Sequence, residues 1–229
     1  MSLNVIYLHG FASSPESSKA IRIAEALRPL DVSTHIPDLN APSFRDITVT
    51  RMIEQVRTVA QGFSPADVVL IGSSLGAFVA VHAAAADARV RGLVLLAPAL
   101  DFGADENGKI GDVTIADWKA AGACDVFHYA WGRSERLEYA LYEDARRYDA
   151  FAVALDVPVL VFQGTRDTVV SPDVVRRWCA ARPTVTLVEL DDDHQLQASI
   201  DRICDETSSF VASIARPGPG QAPASPRPA

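Results

Sequence analysis

The chain has 229 residues, enough for one substantial domain and short for two complete ones. Its 48% hydrophobic and 22% charged content is that of an ordinary globular protein, which excludes a fibre or a largely disordered chain. A formal charge of −8, with no cluster of Lys and Arg to track a phosphate backbone, argues against a nucleic-acid partner.

In chain order, the first predicted strand is NVIYL at 4–8, followed by the turn HGFASSPESS and a helix over 17–30. A shorter strand is expected at 32–38, limited by Pro37. A helix over 47–63, a strand at 67–72, a helix over 74–88 and a strand at 90–98 follow. Two more strands, 157–164 and 185–190, alternate with helices over 171–181 and 194–215. Val, Ile and Leu occupy both alternating faces of the main strands, the pattern of strands buried on both sides. The chain is therefore expected to be an α/β protein with a mostly parallel central sheet and helices on both faces.

Residues 101–156 break this rhythm. An insertion of that length between two core strands predicts a small, helical, cap-like element, in which IADWKAAGACDVFHYAWG is followed by a charged, helix-like stretch at 134–151. The domain is expected to end at 214, with 215–229 a disordered Pro-rich tail. No apolar run reaches the roughly 18 to 20 residues of a membrane span, and MSLNVIYLHG carries no basic leader. Three scattered cysteines, Cys124, Cys179 and Cys204, without CxxC spacing, read as free thiols, so a cytoplasmic location is expected.

The stretch VVLIGSSLGAFVA contains Gly72-Ser73-Ser74-Leu75-Gly76, a GxSxG centred on Ser74 between an apolar strand and an Ala-rich helix. A strand turning sharply into a helix exposes its central residue above the sheet, and small flanking residues let the chains pass closely. A turn with an N-cap serine would carry the same letters, so partners decide. A serine hydroxyl needs a base to take its proton and a carboxylate to hold that base.

Of the five histidines, His194 follows the last strand, in VTLVELDDDHQL, at the carboxyl edge where open α/β sheets bind ligands. His35 and His82 do not face that edge and read as packed side chains, and His9 as a buttress of the first loop. In VFQGTRDTVV, Asp167 follows the preceding strand. Ser74, Asp167 and His194 thus each follow a predicted strand of one sheet. The backbone N–H of Phe11, after Gly10, and that of Leu75 are the candidate donors to an oxyanion. Trp118, Phe127, Tyr129 and Trp131 in the insertion are candidates to line a substrate pocket.

YLHGFASSPESSKA, GSSLGAFVA, VLLAPAL and VFQGTRDTVV, followed by a late histidine, resemble the α/β-hydrolase superfamily, and within it the small bacterial YqiA-like esterases. The superfamily resemblance spans about residues 4–212. It implies hydrolysis of carboxylic esters or thioesters of small to medium acyl groups, through an acyl-serine and without metal or organic cofactor. Ser74 would be the nucleophile, His194 the base and Asp167 its orienter, and the partner a small-molecule ester or thioester.

One departure stands out. The base in such proteins often follows a glycine-bearing turn, whereas His194 follows Asp191, Asp192 and Asp193, whose charge would favour the imidazolium. A peptidase or amidase could use the same three residues, and a non-catalytic ligand-binding protein could keep the fold.

Overall fold

Strand β1 (Leu3–Leu8) is buried along its whole length, and its neighbours explain why. In the computed structural model, which describes residues 3–63, 65–104 and 108–215, it pairs with strands on both edges. The elements follow in the order α1 (Ser18–Leu27), β2 (Ser33–His35), α2 (Val49–Gln61), β3 (Asp67–Ser73), α3 (Leu75–Ala85) and β4 (Val90–Leu96). The insertion holds β5 (Lys109–Ile110), β6 (Val113–Thr114), α4 (Ile115–Ala121), β7 (Ala123–His128), β8 (Arg133–Glu138) and α5 (Ala140–Ala145). The chain then returns through β9 (Val159–Gly164), α6 (Pro172–Ala180), β10 (Val185–Leu190) and α7 (Ile200–Ala215).

Six strands form one parallel sheet in the order β10-β9-β4-β3-β1-β2. The period of two along each strand divides the apolar residues into two cores. Val5, Tyr7, Val69, Ile71, Val94 and Phe162 pack on Ile23 and Leu27 of α1 and Ile203 and Val211 of α7. Ile6, Leu8, Leu70, Leu93, Leu95 and Val161 face α2, α3, α6 and the insertion. The expected architecture holds, with every strand of the main sheet parallel.

The insertion is helical only in part. Where a charged helix is expected over 134–151, residues Arg133–Glu138 form a strand paired antiparallel with β7. The alternation that decides this is visible in β7: Cys124, Val126 and His128 point inward, while Asp125 and Phe127 point out. Arg136 stands opposite Asp125, 3.6 Å away in an ion pair, so the charges decorate the solvent face of a hairpin. Gly132 turns it with φ +64°, a conformation that favours glycine.

Of the tail, Ala215 closes α7, and 216–229 lie outside the described residues. Cys124, Cys179 and Cys204 are buried free thiols. Among the described residues, no helix is long and apolar enough to cross a membrane.

Burial also sets an acid limit on the fold. His9, His35, His82 and His128 are each held below the ordinary imidazole range by removal from water, His82 down to about 4. His82 lies between the rings of Phe78 and Tyr148. The unfolded chain takes up these protons near pH 6.5 and the folded chain does not, so their stabilisation is complete above 6.5 and lost as pH falls toward 4. Once its partial solvent access is allowed for, His82 contributes about 2 kcal/mol of this. Urea midpoints should therefore fall between pH 6.5 and 4.5, and less steeply in His82→Leu. A midpoint that is flat over that interval in the unaltered chain contradicts this account.

Candidate active site

Ser74 is the single residue between β3 and α3, and its backbone lies at φ +52°, ψ −116°. A serine there is strained and persists only where its surroundings over-determine it. They do: the Ser74 N–H donates to the Leu96 carbonyl at 2.9 Å. Its own carbonyl accepts from the N–H groups of Ala77, Phe78 and Ala99. The flanking glycines are sites of close approach. A Cβ on Gly72 would lie 2.5 Å from the Ala77 Cα, and one on Gly76 2.2 Å from the Leu8 carbonyl oxygen.

His194 stands in the loop after β10 and brings its Nε2 to 3.1 Å from the Ser74 Oγ. Its Nδ1 is 2.8 Å from the Asp167 Oδ2, and the Asp167 side chain is fully buried. An ionised carboxylate only accepts, so Nδ1 carries the hydrogen and the Nε2 lone pair faces the hydroxyl. Asp167 Oδ1 accepts from the backbone N–H groups of Val169 and Val170, each at 2.8 Å. Burial alone would raise this carboxyl, but the bonds from His194 and those two N–H groups outweigh it and hold it below its ordinary range.

The three acids before His194 replace the expected glycine with side-chain bonds. Asp192, itself buried, accepts at Oδ1 from the Asp193 N–H and at Oδ2 from the Ser199 N–H, both at 2.8 Å. Asp193 accepts from the Gln195 N–H, and Asp191 pairs with Arg166 at 2.8 Å. These carboxylates fold the loop, a role the sequence left hidden because the partners of Asp192 and Asp193 are main-chain groups. Lys19, in the first turn of α1, was also missed. Burial pushes its ammonium down to about 8, against the opposing pull of Asp167, Asp193 and Asp192.

The first loop reaches the same place. A Cβ on Gly10 would lie 3.3 Å from the Ser73 carbonyl oxygen and 3.4 Å from the Ser74 Cβ. Among the described residues, neither the Phe11 nor the Leu75 N–H bonds to another backbone carbonyl. His9 fixes this loop from beneath: the Leu39 N–H donates to its Nε2 at 3.0 Å, leaving Nδ1–H to donate to the Gly10 carbonyl at 2.9 Å.

The four insertion aromatics separate. Trp118 is fully buried and its Nε1–H donates to the Leu137 carbonyl, so it offers no surface to a substrate. It belongs to the insertion's own core. Phe127 and Tyr129 are exposed and contact each other. Trp131 stacks on buried His128 at 3.8 Å and meets Phe44, which in turn meets Phe11. At the hairpin turn the Ala130 N–H donates to the Ala12 carbonyl at 3.5 Å, so this end of the insertion touches the first loop.

The sequence has no significant match among curated proteins. Among solved structures, Est1E from Butyrivibrio proteoclasticus with ferulic acid bound superposes with a TM-score of 0.83 at 18% identity, over 93% of this chain and 89% of that one. Alpha/beta hydrolase domain-containing protein 10 from mouse gives 0.75 at 19% identity, over 93% and 90%. The monoacylglycerol lipase of Paleococcus ferrophilus gives 0.75 at 16% identity, over 93% and 95%. The fold is that of the α/β hydrolases. Residues 4–211 match the model described as "Uncharacterised protein family (UPF0227)", and with nearly the whole chain inside that match, the protein belongs to this family.

Proposed function

We propose that the protein is a serine hydrolase that cleaves carboxylic esters or thioesters of small to medium acyl groups through an acyl-serine intermediate. The observation that carries this reading is the unbroken chain Ser74 Oγ, His194 and Asp167, with contacts of 3.1 and 2.8 Å, at the carboxyl edge of the sheet. Ser74 Oγ attacks the substrate carbonyl carbon while its proton passes to His194 Nε2. The carbonyl oxygen, now negative, accepts from the Phe11 and Leu75 N–H groups. Collapse expels the alcohol or thiol, which takes the proton from Nε2. Water then adds to the acyl-serine by the same route, releasing the acid and restoring Ser74.

The fold shared with Est1E and with a monoacylglycerol lipase supports this chemistry by likeness. A fluorophosphonate probe should label the folded chain at Ser74. Absence of label there, in protein that is folded by circular dichroism, overturns the reading. Turnover of p-nitrophenyl esters, acyl-CoA thioesters and matched amides then fixes the bond cleaved, and a preference for the amides would replace the esterase by an amidase with the same residues.

A further inference from the structure

Strand β9 is apolar along Val159–Phe162 and then places a fully buried glutamine, Gln163, four residues before Asp167. A buried primary amide is costly unless its hydrogen bonds are made. Gln163 makes only those of its nitrogen. Nε2 donates to the Gly164 carbonyl and to Asp167 Oδ2, both at 3.1 Å, while Oε1 is buried with no partner. The two acceptors fix the orientation, because the turned amide would set its own oxygen against a carbonyl and a carboxylate. A methionine would fill nearly the same space and orphan nothing. Packing alone therefore does not call for glutamine here.

What the amide does is visible from the other side of the bond. Asp167 Oδ1 is held by two backbone N–H groups, those of Val169 and Val170. Oδ2, the oxygen that meets His194, has one other donor among the described residues, and it is Gln163. We propose that Gln163 is a positioning residue for the Asp167–His194 pair: its N–H aims Oδ2 at His194 Nδ1 and draws charge from that oxygen, which keeps the imidazole free to act as base. The proposal rests on the reading of Ser74, His194 and Asp167 as the reacting set.

A donor to a carboxylate spreads its charge and weakens its hold on a neighbouring cation. Without Gln163, the charge on Oδ2 falls wholly on His194 and favours the imidazolium, so activity is reached only at higher pH. The other charged groups around the pair do not supply the missing donor. Lys19 faces Asp167 from α1 without a bond to it, and Arg166 is spent on Asp191. Asp192 and Asp193 are engaged with backbone N–H groups of their own loop.

The test is the rate of fluorophosphonate labelling at Ser74, with p-nitrophenyl ester turnover beside it, from pH 5.5 to 9 in the full chain. Gln163→Met should label about tenfold more slowly on the plateau, with its acid limb moved up by about half a unit and the loss in kcat rather than KM. Gln163→Glu keeps the size and separates the roles. Buried beside the Asp167 carboxylate it stays protonated over this range, and its O–H donates to Asp167 as the amide does, so labelling should stay close to the wild-type rate where Gln163→Met is slow.

Wild-type profiles for both folded variants overturn the role of Gln163 alone, as does a Gln163→Met loss that is uniform in pH. Should Gln163→Met fail to fold, Gln163→Leu takes its place in the same comparison, and a wild-type profile for it is equally decisive against the role. No label on Ser74 of the unaltered chain overturns the reacting set and Gln163's place in it together.

Discussion

Ser74→Ala is expected to lower ester turnover by about four orders of magnitude or more while leaving the fold and substrate binding in place. The change deletes one oxygen. Its partner, His194 Nε2, then has no hydroxyl proton to accept, and the covalent step disappears. The backbone bonds that hold position 74, from its N–H to Leu96 and from Ala77, Phe78 and Ala99 to its carbonyl, do not involve the side chain. Thermal unfolding should therefore be close to that of the unaltered chain. Ser73→Ala is the control, because Ser73 is buried as the last residue of β3 and makes no bond with His194. Its turnover should stay within a few-fold of normal. Turnover that survives in Ser74→Ala, or that is lost only in Ser73→Ala, would show that the wrong hydroxyl has been chosen.

Gly76→Ala is expected to cost about 3 kcal/mol or more of stability, from a single added methyl group. That carbon would sit 2.2 Å from the Leu8 carbonyl oxygen, 2.6 Å from that of His9 and 2.7 Å from the Leu8 carbonyl carbon. All three are main-chain atoms, so no side chain can swing aside. Strand β1 cannot retreat either, being hydrogen-bonded to β2 on one edge and β3 on the other. The first turn of α3 must lift away from the sheet, and it carries the Leu75 N–H with it. Denaturant midpoints should fall, and labelling of whatever remains folded should slow. A variant as stable and as fast as the unaltered chain would refute the close approach.

How much could be read beforehand depended on the distance between a residue and its reason. The strands of the main sheet announced themselves, because burial on both faces leaves a run of Val, Ile and Leu that a surface element cannot afford. Ser74, Asp167 and His194 were legible for a similar reason: each directly follows such a run. The hairpin Ala123–Glu138 was not, since one strand of it is mostly charged and its inward residues are only visible once β7 and β8 are paired. Trp118 looked available in the sequence and is enclosed in the fold. Asp192 and Gln163 were out of reach because both act through bonds to atoms whose position depends on loop geometry. The letters DDDH suggested an electrostatic effect on the histidine, and the fold uses the acids first as scaffolding.

The order of the strands also has a meaning in time. Ser74, Phe11 and Leu75 belong to the first half of the chain, carried by β1, β3 and their turns, whereas Asp167 and His194 follow β9 and β10, which close one side of the sheet against β4. A chain emerging from the ribosome therefore carries Ser74 long before Asp167 and His194 are made. The pairing that unites them, Leu93 of β4 with Val159 of β9, is a non-local step and so among the slower ones of folding. The contact between Ser74 and His194 is thus absent from every partly built form, and its appearance marks the docking of the last two strands.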